Sequence, residues 1–219
     1  VYEAVGAVAA GKMTEAELYE LECNACPAAG SCGGMYTANT MSSVAEAIGM
    51  ALPGSATPMC IGKTRDQIAH DSGVAVLDLL NQNIRPRDIM TRKAFENAIA
   101  VAVSLGGSTN LALHILAIAY EAQVELTLED VNTISRRTPL LASMKPGGLY
   151  VMQDLDRVGG IPVLMRQLLD GGFIHGDPLT VSGKTVAENL QDVKFDPSQD
   201  VIRPVTNPHS HSGGLVILH

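Results

Sequence analysis

The sequence is short of positive charge. Its 15 Lys and Arg stand against 23 Asp and Glu, a formal charge of −8 at pH 7, with a pI near 5.1. Surfaces that bind nucleic acid or an anionic membrane need clustered cations, so both partners are disfavoured and small-molecule chemistry is the better expectation. No continuous apolar run approaches the roughly 20 residues that span a bilayer, and no basic segment followed by an apolar one opens the chain. A soluble protein of the cytoplasm, or of an organelle matrix in a eukaryote, is therefore expected. Neither glycine-rich nucleotide-binding fingerprint occurs, and no internal repeat or low-complexity tract is visible. A disulfide framework is disfavoured too. Of four Cys, three (Cys23, Cys26 and Cys32) crowd into ten residues of a mid-sized chain without secretory features, which favours thiolate chemistry and leaves buried inert thiols as the alternative.

What is present is globular: 46% hydrophobic and 17% charged residues, with 21 Gly and 11 Pro. This suffices for one substantial domain, or one domain and the beginning of another. Val1 stands where a Met would, and Gly213-Gly-Leu-Val-Ile-Leu-His219 reads as a buried strand, so a piece of a longer protein is expected. Thr14 to Glu17 forms a capping-box pattern for a helix to about Glu22. From Thr40, Met41, Val44, Ala45, Ile48 and Leu52 recur at helical spacing until Pro53-Gly54. Thr64 to Asn83 reads as a helix burying Ile68, Val74, Ala75, Leu77 and Leu80. Arg85 to Ile89 reads as an extended connection, because Pro86 holds Arg85 extended.

Thr91 to Leu105 is helical, and Gly106-Gly107 breaks it. Ser108 then caps a helix to about Ala122 that is apolar nearly all round and so expected to be buried. Thr127 to Asp130 caps a helix to Arg137. Pro139 to Met144 reads as a short buried strand, followed by helices near 151–158, 162–170 and 184–190, with Thr180-Val181 extended. From about 190 to 200 onward the texture turns rich in Pro, Gly and β-branched residues, which predicts a β-rich region. An all-α piece is the competing reading of this segment taken alone.

The densest stretch is Cys26-Pro-Ala-Ala-Gly-Ser-Cys32-Gly-Gly-Met-Tyr36-Thr-Ala-Asn39-Thr40-Met. It precedes a helix N-terminus, where unpaired N–H groups and the dipole favour an anion or a thiolate. Cys23-x2-Cys26 follows a helix rather than a strand, which argues against a thioredoxin-like role, and a zinc site would need a better fourth ligand than Cys60. Cys32, with glycines that allow close approach to the backbone, is the best-placed ligand, while Cys23 and Cys26 read as ordinary thiols.

Ser108, Thr109 and Asn110 offer two hydroxyls and an amide behind two glycines, suited either to a substrate carboxylate or hydroxyl or to a plain helix cap. His114 lies one turn on from Asn110, either orienting a ligand or buried and satisfied. His209 and His211 share a strand face without a third ligand, so an exposed loop is expected there. Asp154 and Asp156 fall on different helix faces, as solvated charges would.

Together these segments carry a resemblance. Gly30-Ser-Cys32-Gly-Gly-Met-Tyr-Thr-Ala-Asn-Thr-Met41, Glu46-Ala-Ile-Gly-Met-Ala-Leu-Pro53, Leu105-Gly-Gly-Ser-Thr-Asn110 with His114, Lys145-Pro-Gly-Gly148, Gly159-Gly160, Thr180 to Asn189 and Ile202-Arg-Pro closely resemble the iron–sulfur dehydratases. That family includes dihydroxy-acid, phosphogluconate and sugar-acid dehydratases. The likeness runs over essentially the whole chain, which looks like less than half of a family member.

The resemblance implies a hydro-lyase: a 2,3-dihydroxy acid such as 2,3-dihydroxyisovalerate loses its 3-hydroxyl as water and becomes a 2-keto acid, in valine and isoleucine synthesis. It implies an iron–sulfur cluster, two-iron or four-iron, with three Cys ligands and one open iron acting as a Lewis acid. Cys32 matches the third ligand; the other two belong upstream of Val1. The family's Mg2+ ligands and its catalytic serine match no position here, so the catalytic base lies outside this chain and the isolated segment is expected to be inactive.

Ser108, Thr109 and Asn110 remain candidates for the substrate pocket. The implied fold is α/β: residues 1–192 the helix-rich part of a layered α/β amino-terminal domain, residues 193–219 the start of a β-barrel-like carboxy-terminal domain, in a homodimer. A sugar-acid or phosphogluconate dehydratase is the alternative substrate reading. A cluster-free helical binding or assembly module is the alternative of another class.

Overall fold

The computed structural model describes residues 2–26 and 32–218. Eleven helices run in order among them: α1 (Tyr2–Ala9), α2 (Glu15–Asn24), α3 (Thr37–Ala47), α4 (Lys63–Asn81), α5 (Pro86–Ile89), α6 (Arg92–Ser104), α7 (Leu111–Ala122), α8 (Leu128–Arg137), α9 (Met152–Arg157), α10 (Gly160–Asp170) and α11 (Val186–Leu190). The helix-rich part of the expectation stands. Among the described residues the strand-like segments at 139–144, 179–185 and 201–210 form only isolated bridges: Leu140 to Ser210, Ala142 to Ile202, Met144 to Tyr150 and Leu179 to Thr185. A lone bridge lacks the cross-strand neighbours that stabilise a sheet.

Helix α6 is the centre. Phe95 and every residue from Asn97 to Ser104 are buried, and α3, α7, α8 and α10 pack around it. Its Ala and Val side chains let neighbours approach closely, while Phe95 and Ile99 fill the larger gaps; each large apolar side chain so buried contributes about 1.5–3 kcal/mol. Gly106, at φ +64°, turns the chain out of α6. The Ser104 carbonyl then accepts from the Leu141 and Ala142 N–H groups at 2.9 and 3.2 Å, so the 139–144 segment docks against the end of this helix. Gly213 and Gly214 pass the same end, donating to the Ser135 and Val103 carbonyls at 2.8 and 2.9 Å.

Capping chemistry matches the reading at α2 and α8, where Thr14 with Glu17 and Thr127 with Asp130 close reciprocal capping boxes. Asp130 also pairs with Arg92 at 2.5 Å. The Arg92 guanidinium holds its carboxyl far below the usual range.

Several expectations fail locally. Helix α3 begins at Thr37 rather than Thr40 and stops at Ala47, because Gly49 turns at φ +89°. Arg85 is extended as predicted, but Pro86–Ile89 is a helical turn with Pro at its start, where the missing N–H has no cost.

Helix α4 buries none of its residues. Val74, Leu77 and Leu80 are 46%, 62% and 71% exposed, and Ile68 and Ala75 are half-buried. Periodicity decides which residues share a face, not whether another element reaches that face. For the same reason α7 buries only Leu111, Ile115, Ala119 and Ala122, leaving Leu113 and Tyr120 exposed.

Gly148 shows how tightly the loop before α9 is closed. A Cβ there would lie 2.2 Å from the Ser143 carbonyl carbon, and this neighbour is backbone that cannot swing away. Gly148→Ala is expected to destabilise the protein by about 1–3 kcal/mol, read as a lower denaturant midpoint at unchanged slope.

Candidate functional site

The first turn of α3 and the loop just before it gather three of the segments singled out in the sequence. The first is the Cys32 loop itself. Asn39, buried in this turn, donates from Nδ2 to the Cys32 carbonyl at 2.6 Å and to the Gly34 carbonyl at 2.7 Å. One amide thus bends the backbone on both sides of Gly33 and leaves Cys32 exposed.

The second segment is the Lys145 loop, entered through a cis Lys145–Pro146 peptide. The Met35 N–H donates to the Lys145 carbonyl at 2.6 Å, and the Met152 N–H to the Gly33 carbonyl at 2.8 Å. This approach requires glycine at 34, where a Cβ would sit 2.8 Å from the Lys145 oxygen.

The third is Ser108 to Asn110. The Ser108 N–H donates to Thr40 Oγ1 at 2.9 Å, and Asn110 Nδ2 donates to Thr37 Oγ1 at 2.6 Å and Ser108 Oγ at 3.3 Å. Thr37 and Ser108 hydroxyls are 3.4 Å apart. The regular α7 helix has Asn110 at its N-cap position, without a side-chain cap bond, and Ser108 acts on the turn before it, its Oγ accepting from the Asn110 N–H at 3.3 Å. Ser108 is half-buried while Thr109 and Asn110 are exposed, and the Thr109 hydroxyl has no partner among the described residues. The result is a small polar patch of hydroxyls and an amide at the same helix start that holds the Cys32 loop by its backbone. Such a patch suits hydroxyl and carboxylate groups, and the helix dipole favours negative charge there.

Other candidates lie elsewhere. His114 is exposed, so the buried reading fails. His209 is half-buried, with Nε2 enclosed and unpartnered. Burial, and then the Arg203 charge, lower its pKa. His211 is exposed, so the exposed loop expected for the pair holds only for that residue.

Asp154 and Asp156 are not free solvated charges. Asp154 accepts from the Val151 N–H at 3.0 Å, and Asp156 accepts from the Thr57 hydroxyl at 2.6 Å. Among the described residues no three His, Cys, Asp or Glu side chains gather as a metal centre. The part of the motif at 27–31 lies outside the described residues.

Cys32 and Ser108 to Asn110 stand out in the sequence, whereas Thr37, Asn39 and Thr40, which hold those two loops, do not. The available signal was weak: a polar Asn and two Thr at a helix start read equally well as exposed capping residues.

Residues 1–189 match the family described as dihydroxy-acid/6-phosphogluconate dehydratase, N-terminal. The chain belongs to this family. Its relatives include dihydroxy-acid dehydratases of Leifsonia xyli subsp. xyli, 58% identical over 99% of this chain and 39% of that protein, and of Renibacterium salmoninarum, 57% identical over 99% of this chain and 38% of that protein. The dihydroxy-acid dehydratase of Sulfolobus acidocaldarius is 54% identical over 100% of this chain and 39% of its own length. The chain thus spans about two fifths of the length of the curated relatives it matches.

The Cys32 thiol is exposed on a loop pinned by Asn39, and among the described residues no set of metal ligands gathers around it. Asn39 fixes that loop, so on the cluster reading proposed below Asn39→Ala is expected to lower cluster affinity of the full-length protein by roughly 10–100-fold, the usual effect of losing a partner behind a ligand. Iron content per chain measures this. Asn39→Asp, which places a carboxylate against two carbonyl oxygens, should be no better.

Proposed function

We propose that this chain is part of a hydro-lyase that dehydrates 2,3-dihydroxy acids such as 2,3-dihydroxyisovalerate to 2-keto acids, in valine and isoleucine biosynthesis. One observation carries the reading: in a chain of this family, the Cys32 loop and the Ser108 to Asn110 loop meet on one helix turn through Asn39, Thr37 and Thr40. Cys32 holds an iron–sulfur cluster, two-iron or four-iron, together with Cys ligands outside this chain. When bound, the cluster supplies a Lewis acid for the departing hydroxyl. Ser108, Thr109 and Asn110 line the substrate pocket, where their hydroxyls and amide orient the acid by hydrogen bonds. Mg2+ is held by residues outside this chain, and so is the catalytic base.

The same reading divides the chain into residues 1–192 of a layered α/β amino-terminal domain and residues 193–219 at the start of a β-barrel-like one. The family match ending at residue 189 supports that division. The whole protein acts as a homodimer on a small molecule, in the cytoplasm or an organelle matrix, without nucleic-acid or membrane partners. No helix among the described residues is long and apolar enough to cross a membrane.

The test is anaerobic reconstitution of the full-length protein, followed by a panel of 2,3-dihydroxyisovalerate, gluconate and 6-phosphogluconate. Cluster absorbance and a 2-keto acid from the branched substrate are the expected results. Turnover of the sugar acids alone would move the substrate to the sister enzymes, and a protein that takes up no iron would overturn the proposal.

A further inference from the structure

The dehydratase reading uses Cys32 and leaves Cys23 and Cys26 without a role. Cys23 lies in the last turn of α2, which ends at Asn24, and Ala25 continues the right-handed course at φ −67° and ψ −25°. The position of the Cys26 Cα follows from those angles, so Cys23 and Cys26 are spaced as i and i+3 of a helix. Such Cα atoms lie about 5 Å apart, inside the roughly 4.4–6.8 Å that disulfides span. Both thiols are exposed. No residue of α2 is buried, so rotating these side chains toward each other disturbs no packed core. Cys60 is also exposed but stands alone in the sequence.

We propose that Cys23 and Cys26 are a redox modification site that closes reversibly to an intrachain disulfide, separate from Cys32 and independent of the dehydratase reading. The oxidant is a low-molecular-weight disulfide. One thiolate attacks a sulfur of the reagent; its S–S bond breaks, one thiolate leaves, and a mixed disulfide forms. The second protein thiolate attacks the protein-side sulfur, the bond to the reagent breaks, and a second small thiolate leaves. Two electrons pass from the two cysteines to the reagent, and the two protons end on the two released thiols. The second step is intramolecular, so the pair passes through the mixed-disulfide stage quickly, whereas a lone exposed thiol stops there.

The local charge bears on the choice of oxidant. Helix α2 carries Glu15, Glu17, Glu20 and Glu22, a field that disfavours an anionic reagent such as glutathione disulfide relative to a neutral one, and salt reduces that difference.

The test treats the full-length protein with neutral bis(2-hydroxyethyl) disulfide, quenches in acid, alkylates the free thiols and reads the peptides by mass. The expected result is a peptide containing Cys23 and Cys26 that has lost two hydrogens, takes no label at either position and is restored by dithiothreitol. Cys60 should carry the reagent as a mixed disulfide. In Cys23→Ser the mixed disulfide should persist on Cys26, in Cys26→Ser on Cys23, and in Cys32→Ser the Cys23–Cys26 bond should still form. A cross-link from Cys26 to Cys32, separate adducts on Cys23 and Cys26 in the unsubstituted protein, or full labelling of both under conditions that modify Cys60 would each overturn the proposal.

Discussion

With Cys32 as a ligand of the proposed cluster, Cys32→Ser in the full-length protein is expected to lower both turnover and cluster affinity by more than the roughly 10–100-fold that loss of a partner behind a metal ligand produces. Serine keeps the size of the side chain but presents a far weaker ligand for iron than a thiolate. Cys32 is exposed, and its loop is held through backbone carbonyls bonded to Asn39, neither of which the substitution touches. Fold stability without the cluster should therefore stay within about 0.5 kcal/mol, as for ordinary surface changes. Joint measurement of iron per chain, turnover and thermal unfolding of the cluster-free protein separates a ligand from a structural thiol. Intact activity would instead favour the cluster-free binding or assembly module.

Glu46→Ala should give the largest loss of stability among single changes in α3. Glu46 is 5% exposed, and its carboxylate accepts from the Gly54 and Ala56 N–H groups at 2.7 and 2.9 Å. It ties α3 to the 54–57 loop. That loop reaches α9 through the Thr57 to Asp156 hydrogen bond and lies against Gly160 of α10. Truncation leaves the buried Ala56 N–H without an acceptor and loosens this connection, at about 2–4 kcal/mol.

Burial raises the Glu46 pKa to about 7, against the pull of the Gly54, Ala56 and Ser55 N–H groups. Between the ordinary carboxylate value and about pH 7 the folded protein therefore binds more protons at this site than the unfolded chain. Stability from this group is fully present below the unfolded pKa and falls as pH rises to about 7. Glu46→Gln, which cannot ionise, should remove that slope. Urea unfolding of both proteins at several pH values checks it, and parallel pH profiles for the two would refute the assignment.

Much of the helical architecture was legible because its signals are local. The capping boxes at Thr14 and Thr127, the Gly106 turn and the α6 pattern each act within a few residues of sequence. Glu46 was visible only as part of a recurring motif, since an isolated Glu in an amphipathic helix reads as solvent-facing. The apolar stripe of α4 misled for the opposite reason: its period is correct, yet no described element covers Leu77 or Leu80.

By itself, the sequence determined family membership, most helix positions and the identity of the one thiol set among glycines, because these rest on motifs and near-neighbour rules. The tertiary structure decided that three segments separated by dozens of residues meet at the first turn of α3 and the loop before it. Asn39 holds the Cys32 loop, Thr37 and Thr40 hold the Ser108 to Asn110 loop, the Met35 N–H holds the Lys145 loop, and Gly34 and Gly107 leave the space for that approach. The bonds to Ser108, Asn110 and Lys145 depend on long-range distances set by packing around α6, and no local pattern encodes those distances.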